Sequence, residues 1–497
     1  MGAMSCTTIL VGRNASIDGS TLVARNDDSG SGRYDPKRFV AVNPADQPRH
    51  YVAEISHVES ELPDDPCRYA IVPNALPGRG VLAEAGANVH GVAMSATETI
   101  AVNERVLAAD PMVELKPAAN GKPEIPGGIG EEDFITLVLP YVSAAREGVR
   151  RLGALLEEYG TYEANGIAIS DADEIWYVET IGGHHWIARR VPDDCYAAIP
   201  NQLGLDDFDL DDAFGEAREH MCSADLREFI ADNRLDTAME PGDGHINPRH
   251  LFGTCTEKDH IYNTPRAWYM QRFLNPSDRW DGPAAAYRPE SDDIPWSRVP
   301  ERKVTIEDVK YVLSAHYQGT PFDPYGKGSE ALRGKYRPIG INRNGQLAVL
   351  QLRPYAEPAY RAVQWMAFGS NAFNALVPFY GNVDELPEYL SNTGKRVSTE
   401  SFYWANRLIG ALADARFHDN ANAIERYQEK MGAFGHRVLR ETDAAVRDLP
   451  AAEVPAALAA ANDRVAIELR EQTDALLGKV LYTTSMGMKN GFAMSDN

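Results

Sequence analysis

The sequence predicts an α+β protein built on antiparallel β-sheets. Three observations support this prediction: the chain begins with a β-hairpin, four short strands follow one another between residues 166 and 199, and residues 402–477 have an Ala-rich helical composition. Strands that succeed one another through short turns pair in antiparallel fashion, because parallel pairing needs long crossover connections. Helices before and after such strands supply a covering layer.

The opening hairpin consists of two β-branched and apolar runs, residues 7–11 and 21–24. The residues between the runs include Asp18 and Gly19, which favour a turn. Folding the chain about its middle brings the two open ends together. Cys6 and Arg25 are then predicted to be approximate cross-strand neighbours, to within a register shift of one or two residues.

Cys6 is the candidate nucleophile of this hairpin. A thiol reacts as the thiolate, and a nearby cation such as Arg25 favours that form. Asp28 can fix the guanidinium, or the surroundings of the thiol, by charged hydrogen bonds. From spacing alone, a surface hairpin with a free cysteine and a local salt bridge explains the same residues. If residues 1–5 are removed, Cys6 carries a free α-amine, whose pKa of roughly 7.7 to 8 suits a general base.

The strings CTTILVG, DGS and ARNDD resemble the opening of the C69 family of dipeptidases, which are N-terminal nucleophile hydrolases related to bile-salt hydrolases and penicillin V acylases. The resemblance implies a four-layer αββα sandwich with antiparallel sheets and a helical C-terminal region. Residues 1–5 are predicted to be a short propeptide or leader, with Met4 as a second possible start. The predicted hydrolase domain covers residues 6–400, and a helical region at residues 401–497 is predicted to pack on the same domain. The strongest matches are residues 6–28, 83–100 and 195–205.

The remaining elements are predicted from local patterns. Residues 110–129 are rich in Pro and Gly and are predicted to form a long loop. Residues 134–159 have an apolar helical period and are predicted to form one long helix or two helices split near Gly148. The acidic residues 203–240 are predicted to be helical. Residues 166–170, 175–180, 185–191 and 195–199 are predicted to form consecutive strands of one sheet. Further strands are predicted at residues 39–42, 51–55, 91–95, 346–352 and 362–368, and a helix at residues 306–316.

Asn201 follows the last strand of the consecutive set, in the sequence IPNQ. An amide at a strand end can present its N–H group to a developing oxyanion, although a turn-forming Asn after Pro explains the residues equally simply. The resemblance implies that Asn201 helps to form the oxyanion hole. It also implies that Arg266, which follows Pro265 at a predicted helix start, approaches the nucleophile and serves in binding or catalysis.

Glu98 ends the sequence GVAMSATE, a predicted buried strand that the resemblance places beside the nucleophile strand. Bile-salt-type relatives carry an Asn in this oxyanion region, and a carboxylate there would oppose an oxyanion. We therefore expect Glu98, together with Asp27, to bind the α-ammonium group of the substrate. The alternative is that Glu98 is a structural surface acid.

Composition excludes several classes of partner. The formal net charge of −23 predicts that the protein repels nucleic acid and anionic membranes. Five cysteines without a CxxC pair indicate a reducing cytoplasm and disfavour a disulfide framework or a zinc site. The sequence has no run of 18 uncharged apolar residues and no secretory signal at its start. We expect a cytoplasmic homo-oligomer, with the C-terminal helices as a possible subunit contact.

Familiar catalytic motifs other than the thiol are absent from the sequence: it contains no HExxH, no Walker A loop and no GxSxG. These absences leave the Cys6 thiol as the catalytic candidate, and the resemblance to the C69 family implies a cysteine dipeptidase that acts on dipeptides with free amino termini and uses no metal or cofactor. An acylase for N-acyl amino acids or lactams is the alternative within the same fold. A catalytically silent binding or scaffolding relative and a metallopeptidase are further alternatives.

Overall fold

The computed structural model describes residues 6–30, 35–239 and 244–490. Its centre is formed by one seven-stranded and one eight-stranded sheet. Neighbouring strands within both sheets are antiparallel. The predicted α+β class with antiparallel sheets and a helical C-terminal region is confirmed. The predicted leader, residues 1–5, lies outside the described residues.

The strands are numbered in chain order. They are Thr7–Val11 (β1), Thr21–Asp28 (β2), Val40–Val42 (β3), His50–Val52 (β4), Glu59–Glu61 (β5), Tyr69–Ile71 (β6), Ala85–Asn88 (β7), Ala93–Thr99 (β8), Asn165–Ser170 (β9), Ile175–Ile181 (β10), His185–Arg190 (β11), Tyr196–Ile199 (β12), Phe208–Asp209 (β13), His220–Cys222 (β14), His245–Ile246 (β15), Ser297–Arg298 (β16), Asn344–Leu352 (β17), Ala362–Phe368 (β18) and Val377–Tyr380 (β19).

The α-helices are numbered in the same way. They are Glu104–Ala109 (α1), Phe134–Val138 (α2), Ala145–Tyr159 (α3), Leu210–Phe214 (α4), Leu226–Asp232 (α5), Pro248–Phe252 (α6), Glu257–Tyr262 (α7), Thr264–Leu274 (α8), Ile306–Leu313 (α9), Glu388–Ser391 (α10), Phe402–Asp414 (α11), Phe417–Val446 (α12) and Val454–Met486 (α13). Short 3₁₀ helices lie at Leu139–Tyr141 and Pro358–Tyr360.

The two sheets face each other across a shared core. The first has the strand order β16-β12-β1-β2-β17-β18-β19, and the second has the order β14-β11-β10-β9-β8-β7-β6-β3. Strands β2 and β17 of the first sheet contact β8 of the second. Every residue of β1, β2 and β17 is buried, because these strands are central in their sheet. The hairpin that carries Cys6 is therefore an interior element.

Both faces of the second sheet are buried. Side chains alternate between the two faces of a strand. On β9, Ile167 and Ile169 share a core with Leu152 and Leu156 of α3, whereas Ala168 belongs to the core that contains β1 and β2. Helix α3 packs on β9, β10 and β11, and helices α12 and α13 pack on β19 of the first sheet. These contacts put helices against strands of each sheet.

One prediction of strand pairing was wrong in a way that matters for the site. The strand predicted at residues 195–199 does not continue the sheet of β9, β10 and β11. It is β12, which crosses to the first sheet and pairs with β1, with Ile199 opposite Thr8. Strand β11 pairs instead with β14. The pattern of β12 predicts a strand, but its choice of partner depends on the tertiary fold.

Two predictions of helix boundaries were also wrong. The break between α2 and α3 lies near Pro140 rather than near Gly148, because proline lacks the N–H group that continues a helix. Gly148 lies inside α3, where a Cβ atom would be 2.9 Å from Cγ2 of Ile169, so the glycine permits close packing on β9. Residues 203–240 contain the short helices α4 and α5 with β13 and β14, and are only partly helical.

Candidate active site

The register of the hairpin sets which side chains share a face with Cys6. Thr8 lies opposite Arg25 and Thr7 lies opposite Asn26. The pairing of Arg25 is thus shifted by two residues from the predicted partner Cys6, and Asp27 follows as the residue across from Cys6. Because a shift of two preserves the alternation of side chains, Cys6, Arg25 and Asp27 still point to the same side of the sheet. This side faces the second sheet.

The Cys6 thiol is fully buried. Burial raises the pKa of the thiol well above its usual value, the charge of Arg25 lowers it, and the neighbouring carboxylates Glu98, Glu131 and Asp27 raise it further. Thiols are poor nucleophiles in the protonated form. In this environment the thiol therefore needs a base that removes its proton during attack.

The Arg25 guanidinium is fixed from one side only. Its Nη2 donates to Oε2 of Glu84 and, at 3.1 Å, to Oε1 of Glu131. Its Nε and Nη1 atoms are buried and have no hydrogen-bond partner among the described residues. Burial alone lowers the pKa of Arg25, but the nearby Cys6, Glu84 and Glu131 raise it above its usual value, so the guanidinium stays charged. Arg25 therefore has unused donors beside the thiol.

Two buried carboxylates on this side each keep one oxygen unused. Oε2 of Glu98 accepts a hydrogen bond of 2.8 Å from Oγ1 of Thr8. Lys37 Nζ lies 3.4 Å from Oδ2 of Asp27. The second oxygens, Oε1 of Glu98 and Oδ1 of Asp27, have no hydrogen-bond partner in the described part of the chain. Burial raises the pKa of Glu98 to about 7, while Arg266 and Arg25 lower it.

Glu98 thus lies inside the molecule and is not the surface acid that the sequence left open as an alternative. Its strand β8 belongs to the second sheet, so Glu98 approaches β1 from the facing sheet and not from a neighbouring strand. The two sheets together supply the acidic groups around Cys6.

Asn201 and Arg266 meet at the opposite edge of β1. Strand β12 ends at Ile199, two residues before Asn201, so continuing the pairing of Thr8 with Ile199 brings Asn201 across from Cys6. The amide Nδ2 of Asn201 donates to the Thr99 carbonyl at 2.9 Å, which leaves its second N–H group for another acceptor.

The Arg266 guanidinium joins Asn201 to the backbone of Cys6. Its Nη2 donates to Oδ1 of Asn201 at 2.8 Å, and its Nη1 donates to the Cys6 carbonyl and, at 2.7 Å, to Oγ1 of Thr7. Arg266 is fully buried near the start of α8. Burial, together with the adjacent charge of Arg337, lowers the pKa of Arg266 to about 10. The fold therefore brings both predicted residues to the Cys6 end of β1.

Asp28 lies on the other side of β2 and does not hold Arg25. It accepts hydrogen bonds from Nη2 of Arg337 and from Nδ2 of Asn344 on β17. Burial raises the pKa of Asp28, and Arg337 lowers it. Its partner Arg337 also reaches Oγ1 of Thr7 at 3.5 Å. The expectation that Asp28 fixes the guanidinium of Arg25 is wrong: Asp28 instead holds Arg337, which in turn reaches the hydroxyl of Thr7.

Sequence reasoning missed four buried charged residues of this region. They are Lys37, Glu84, Glu131 and Arg337. Charged side chains are rarely buried unless they are paired, and their pairing appears only when distant segments meet. One available signal was a single acid between small apolar residues, as in the sequence LAEAGA around Glu84.

A surface group of mixed ligands is the metal-binding candidate among the described residues. Cys255, His260 and Asp292 offer ligand atoms within 4.8 Å of one another, and His260 Nε2 lies 2.7 Å from Oδ1 of Asp292. Cys255 and Asp292 are exposed, and the group includes no residue of the Cys6 surroundings. In the described ranges, no helix is both long and apolar enough to span a membrane.

Comparison with known proteins identifies the family of the chain. The model of peptidase family C69 matches residues 5–430. A dipeptidase of Bifidobacterium longum (strain NCC 2705) is 58% identical over 99% of this chain and 100% of its own length. A probable dipeptidase A of Streptococcus pyogenes serotype M3 is 49% identical over 99% and 100%, and dipeptidase A of Lactobacillus helveticus is 42% identical over 97% of each chain. The chain therefore belongs to peptidase family C69.

Proposed function

We propose that this protein is a cysteine dipeptidase that hydrolyses dipeptides with free amino termini. The observation that carries the proposal is the side of the hairpin that faces the second sheet. On that side, the buried Cys6 thiol lies near the Arg25 guanidinium, which has N–H donors without partners among the described residues. The carboxylates of Glu98 and Asp27 on the same side each have one oxygen without a partner. Most buried polar groups have a hydrogen-bond partner, and a catalytic role would explain the unpartnered ones beside this thiol. Family membership and the names of the full-length relatives agree with peptide-bond hydrolysis.

Removal of residues 1–5 would make Cys6 the first residue and supply the missing base. Its α-amine, with a pKa near roughly 8, takes the thiol proton as sulfur attacks the carbonyl carbon. The same proton passes to the leaving amine as the C–N bond breaks. Water then adds to the thioester, releases the acid and restores the thiol. We infer that Cys6 acts in the removal of its own leader, and that the two sheets with their helices form the four-layer αββα sandwich of N-terminal nucleophile hydrolases.

The negative charge that develops on the carbonyl oxygen needs donors at the edge of β1. The second N–H group of Asn201 suits this role, because its first is held by the Thr99 carbonyl. Arg266 fixes the amide through Oδ1 and also holds the Cys6 carbonyl. Arg25 stabilises the thiolate electrostatically. Asp28 holds Arg337, which contacts Thr7 of β1 on the face opposite the thiol.

The free amino terminus of the substrate is a cation, and two carboxylates of the site can bind it. Oε1 of Glu98 and Oδ1 of Asp27 are buried and without partners among the described residues. An ammonium group has several N–H donors and could form a charge-assisted hydrogen bond with each of these two oxygens. An N-acyl substrate has no such cation and would leave these carboxylates unpaired. This difference favours the dipeptidase over the acylase of the same fold.

The test is a substrate panel under one set of conditions. We expect turnover of unblocked dipeptides, slower turnover of the same dipeptides after N-acetylation, and loss of all turnover after alkylation of Cys6. Preferred hydrolysis of N-acyl amino acids or lactams would identify an acylase instead. Absence of turnover from a chain that has lost residues 1–5 would favour a silent binding relative, and inhibition by a chelator would favour a metallopeptidase.

The cellular setting is part of the same proposal. All five cysteines are unpaired, which suits a reducing cytoplasm. We also infer a homo-oligomer, in which the long helices α12 and α13 offer contact surface. Light scattering of the purified protein gives its mass directly, and a monomer at micromolar concentration would refute this inference.

A further inference from the structure

Glu84 joins two buried cations beside the nucleophile strand. Its Oε2 accepts from Nη2 of Arg25, and its Oε1 accepts from Nζ of Lys37 at 2.8 Å. Glu84 and Lys37 are 0% exposed and Arg25 is 1% exposed. Burial lowers the pKa of Lys37, but Asp27 and Glu84 raise it above its usual value, so the ammonium stays charged. Three charged groups are thus held together away from water.

The backbone around Glu84 is held in an unfavourable conformation. Glu84 has φ of +63° and Leu82 has φ of +42°, a region that residues other than glycine rarely adopt. The N–H group of Ala85 donates to the Ala83 carbonyl at 2.7 Å, so Glu84 is the central residue of a strained γ-turn. Such strain persists where the surroundings enforce it, and it concentrates at functional sites.

Both left-handed residues contact the same ammonium group. Lys37 Nζ donates to the Leu82 carbonyl at 3.2 Å as well as to the Glu84 carboxylate. The turn therefore supplies two of the contacts of the Lys37 ammonium group. Its other ionic contact among the described residues is Oδ2 of Asp27, at 3.4 Å. The turn gives this cation one orientation.

The contacts form a chain of alternating charge that meets β2 at two residues, the acid Asp27 and the cation Arg25. Asp27, Lys37, Glu84, Arg25 and Glu131 follow one another as acid, base, acid, base and acid. Arg25 and Asp27 are two residues apart on the side of β2 that carries Cys6. The link between them runs through Lys37 and Glu84, which are supplied by two other segments of the chain.

We propose that Glu84 and Lys37 are positioning residues for hydrolysis: they fix the Arg25 guanidinium against the Cys6 thiol and turn Asp27 so that its Oδ1 is left for the substrate. This inference rests on the proposed function, and it assigns a role to two residues that do not themselves touch the reacting atoms. Glu84 acts through Arg25 on the nucleophile. Lys37 acts through Asp27 on recognition of the substrate ammonium group.

The test uses Glu84→Gln, Lys37→Met and the charge-balanced double variant. Glu84→Gln should lower kcat at least tenfold and move the pH profile of Cys6 alkylation upward, because Arg25 loses its ionic contact with Glu84 and keeps only the one with Glu131. Lys37→Met should mainly raise KM for free dipeptides and reduce the preference over N-acetylated ones. The double variant restores the net charge of the wild-type cluster that Lys37→Met makes more negative, so its melting temperature should exceed that of Lys37→Met while activity remains low.

Glu132→Gln is the matched control. Glu132 is also a buried carboxylate, but it accepts from the backbone N–H groups of Glu54 and Ile55, both at 2.8 Å. Its loss should alter the melting temperature without changing the alkylation profile. The proposal is overturned if the folded variants keep the wild-type alkylation profile and kcat/KM within twofold, or if Glu132→Gln changes both as much as Glu84→Gln. Alkylation needs no substrate, so it tests positioning even if wild-type protein fails to cleave dipeptides.

Discussion

At the Cys6 thiol, two opposing influences meet. Burial raises the thiol pKa, and the charge of Arg25 lowers it without removing the effect of the surrounding acids. A catalytic thiol in this environment needs proton removal during attack. The account assigns that step to the α-amine of Cys6, the group that leader removal would supply at the site of attack.

Glu98→Gln tests recognition of the substrate ammonium group. The substitution keeps the side-chain size but removes the charge of the unused oxygen. A hydrogen bond to a charged group is worth about 1.5–3 kcal/mol, so kcat/KM for free dipeptides should fall roughly 10- to 150-fold. Turnover of N-acetylated analogues should stay within about twofold. Equal losses for both substrate classes would contradict the assignment, and the acetylated analogues serve as the internal control.

The same variant has an expected effect on stability that depends on pH. The pKa of Glu98 is raised in the folded protein from 4.5 to about 7, mainly by burial. A carboxyl with a raised folded pKa stabilises the fold below its unfolded pKa, and this contribution is lost as pH rises through the folded pKa.

The contribution of Glu98 to the free energy of unfolding of the wild-type protein should therefore decline between pH 4.5 and about 7, by up to roughly 3 kcal/mol. Glu98→Gln should raise the melting temperature relative to wild type at pH 8 and raise it less, or lower it, at pH 5. Thermal unfolding at the two pH values measures the difference. A difference that is the same at both would show that Glu98 does not titrate as described.

At the scale of elements, α3 packs closely on the second sheet because glycines occupy its contact face. A Cβ atom at Gly153 would be 2.2 Å from Cζ2 of Trp186, a buried side chain of β11. Gly153→Ala should therefore destabilise the protein by about 1–3 kcal/mol despite the better helix propensity of alanine.

Gly478 in α13 has no atom within 4 Å of its Cβ position. Gly478→Ala should stabilise by about 0.5–1 kcal/mol, and denaturant unfolding of both variants distinguishes packing from propensity.

Elements with a strong local pattern were predictable, whereas pairings between distant segments were not. The β-branched and apolar runs of the hairpin predicted β1 and the first half of β2, and the prediction at 362–368 coincides with β18. The partner of β12 was missed, since a short apolar strand fits either sheet equally well. Pro140 outweighed Gly148 in breaking the helix because a missing N–H group costs more than a flexible backbone.

The buried charges set the limit of prediction for the site. Cys6, Arg25 and Asn201 lie in strings that match the family and Arg266 lies in a part of looser resemblance, and all four meet near one end of β1. Lys37 and Glu84 carry no motif, and their burial is tolerable only because each pairs with a group distant in sequence. Their positions follow from the fold.

At the scale of the whole molecule, the two facing sheets explain why an acid-rich site can exist inside the protein. The first sheet contributes the thiol, Arg25 and Asp27, and the second contributes Glu98. Charges buried between sheets are poorly screened by solvent, so each has a large effect on its neighbours. The proposed base, the α-amine of Cys6, becomes available only after residues 1–5 are removed.

The most direct test is the intact mass of purified wild-type protein beside a Cys6→Ala variant. The account predicts that wild-type protein lacks residues 1–5 and that the variant keeps them, because Cys6 acts in its own exposure and then serves as nucleophile. The contradicting result is a wild-type chain that keeps residues 1–5 and still hydrolyses dipeptides. In that case the α-amine is not the base, and a side chain near Cys6 must take its place.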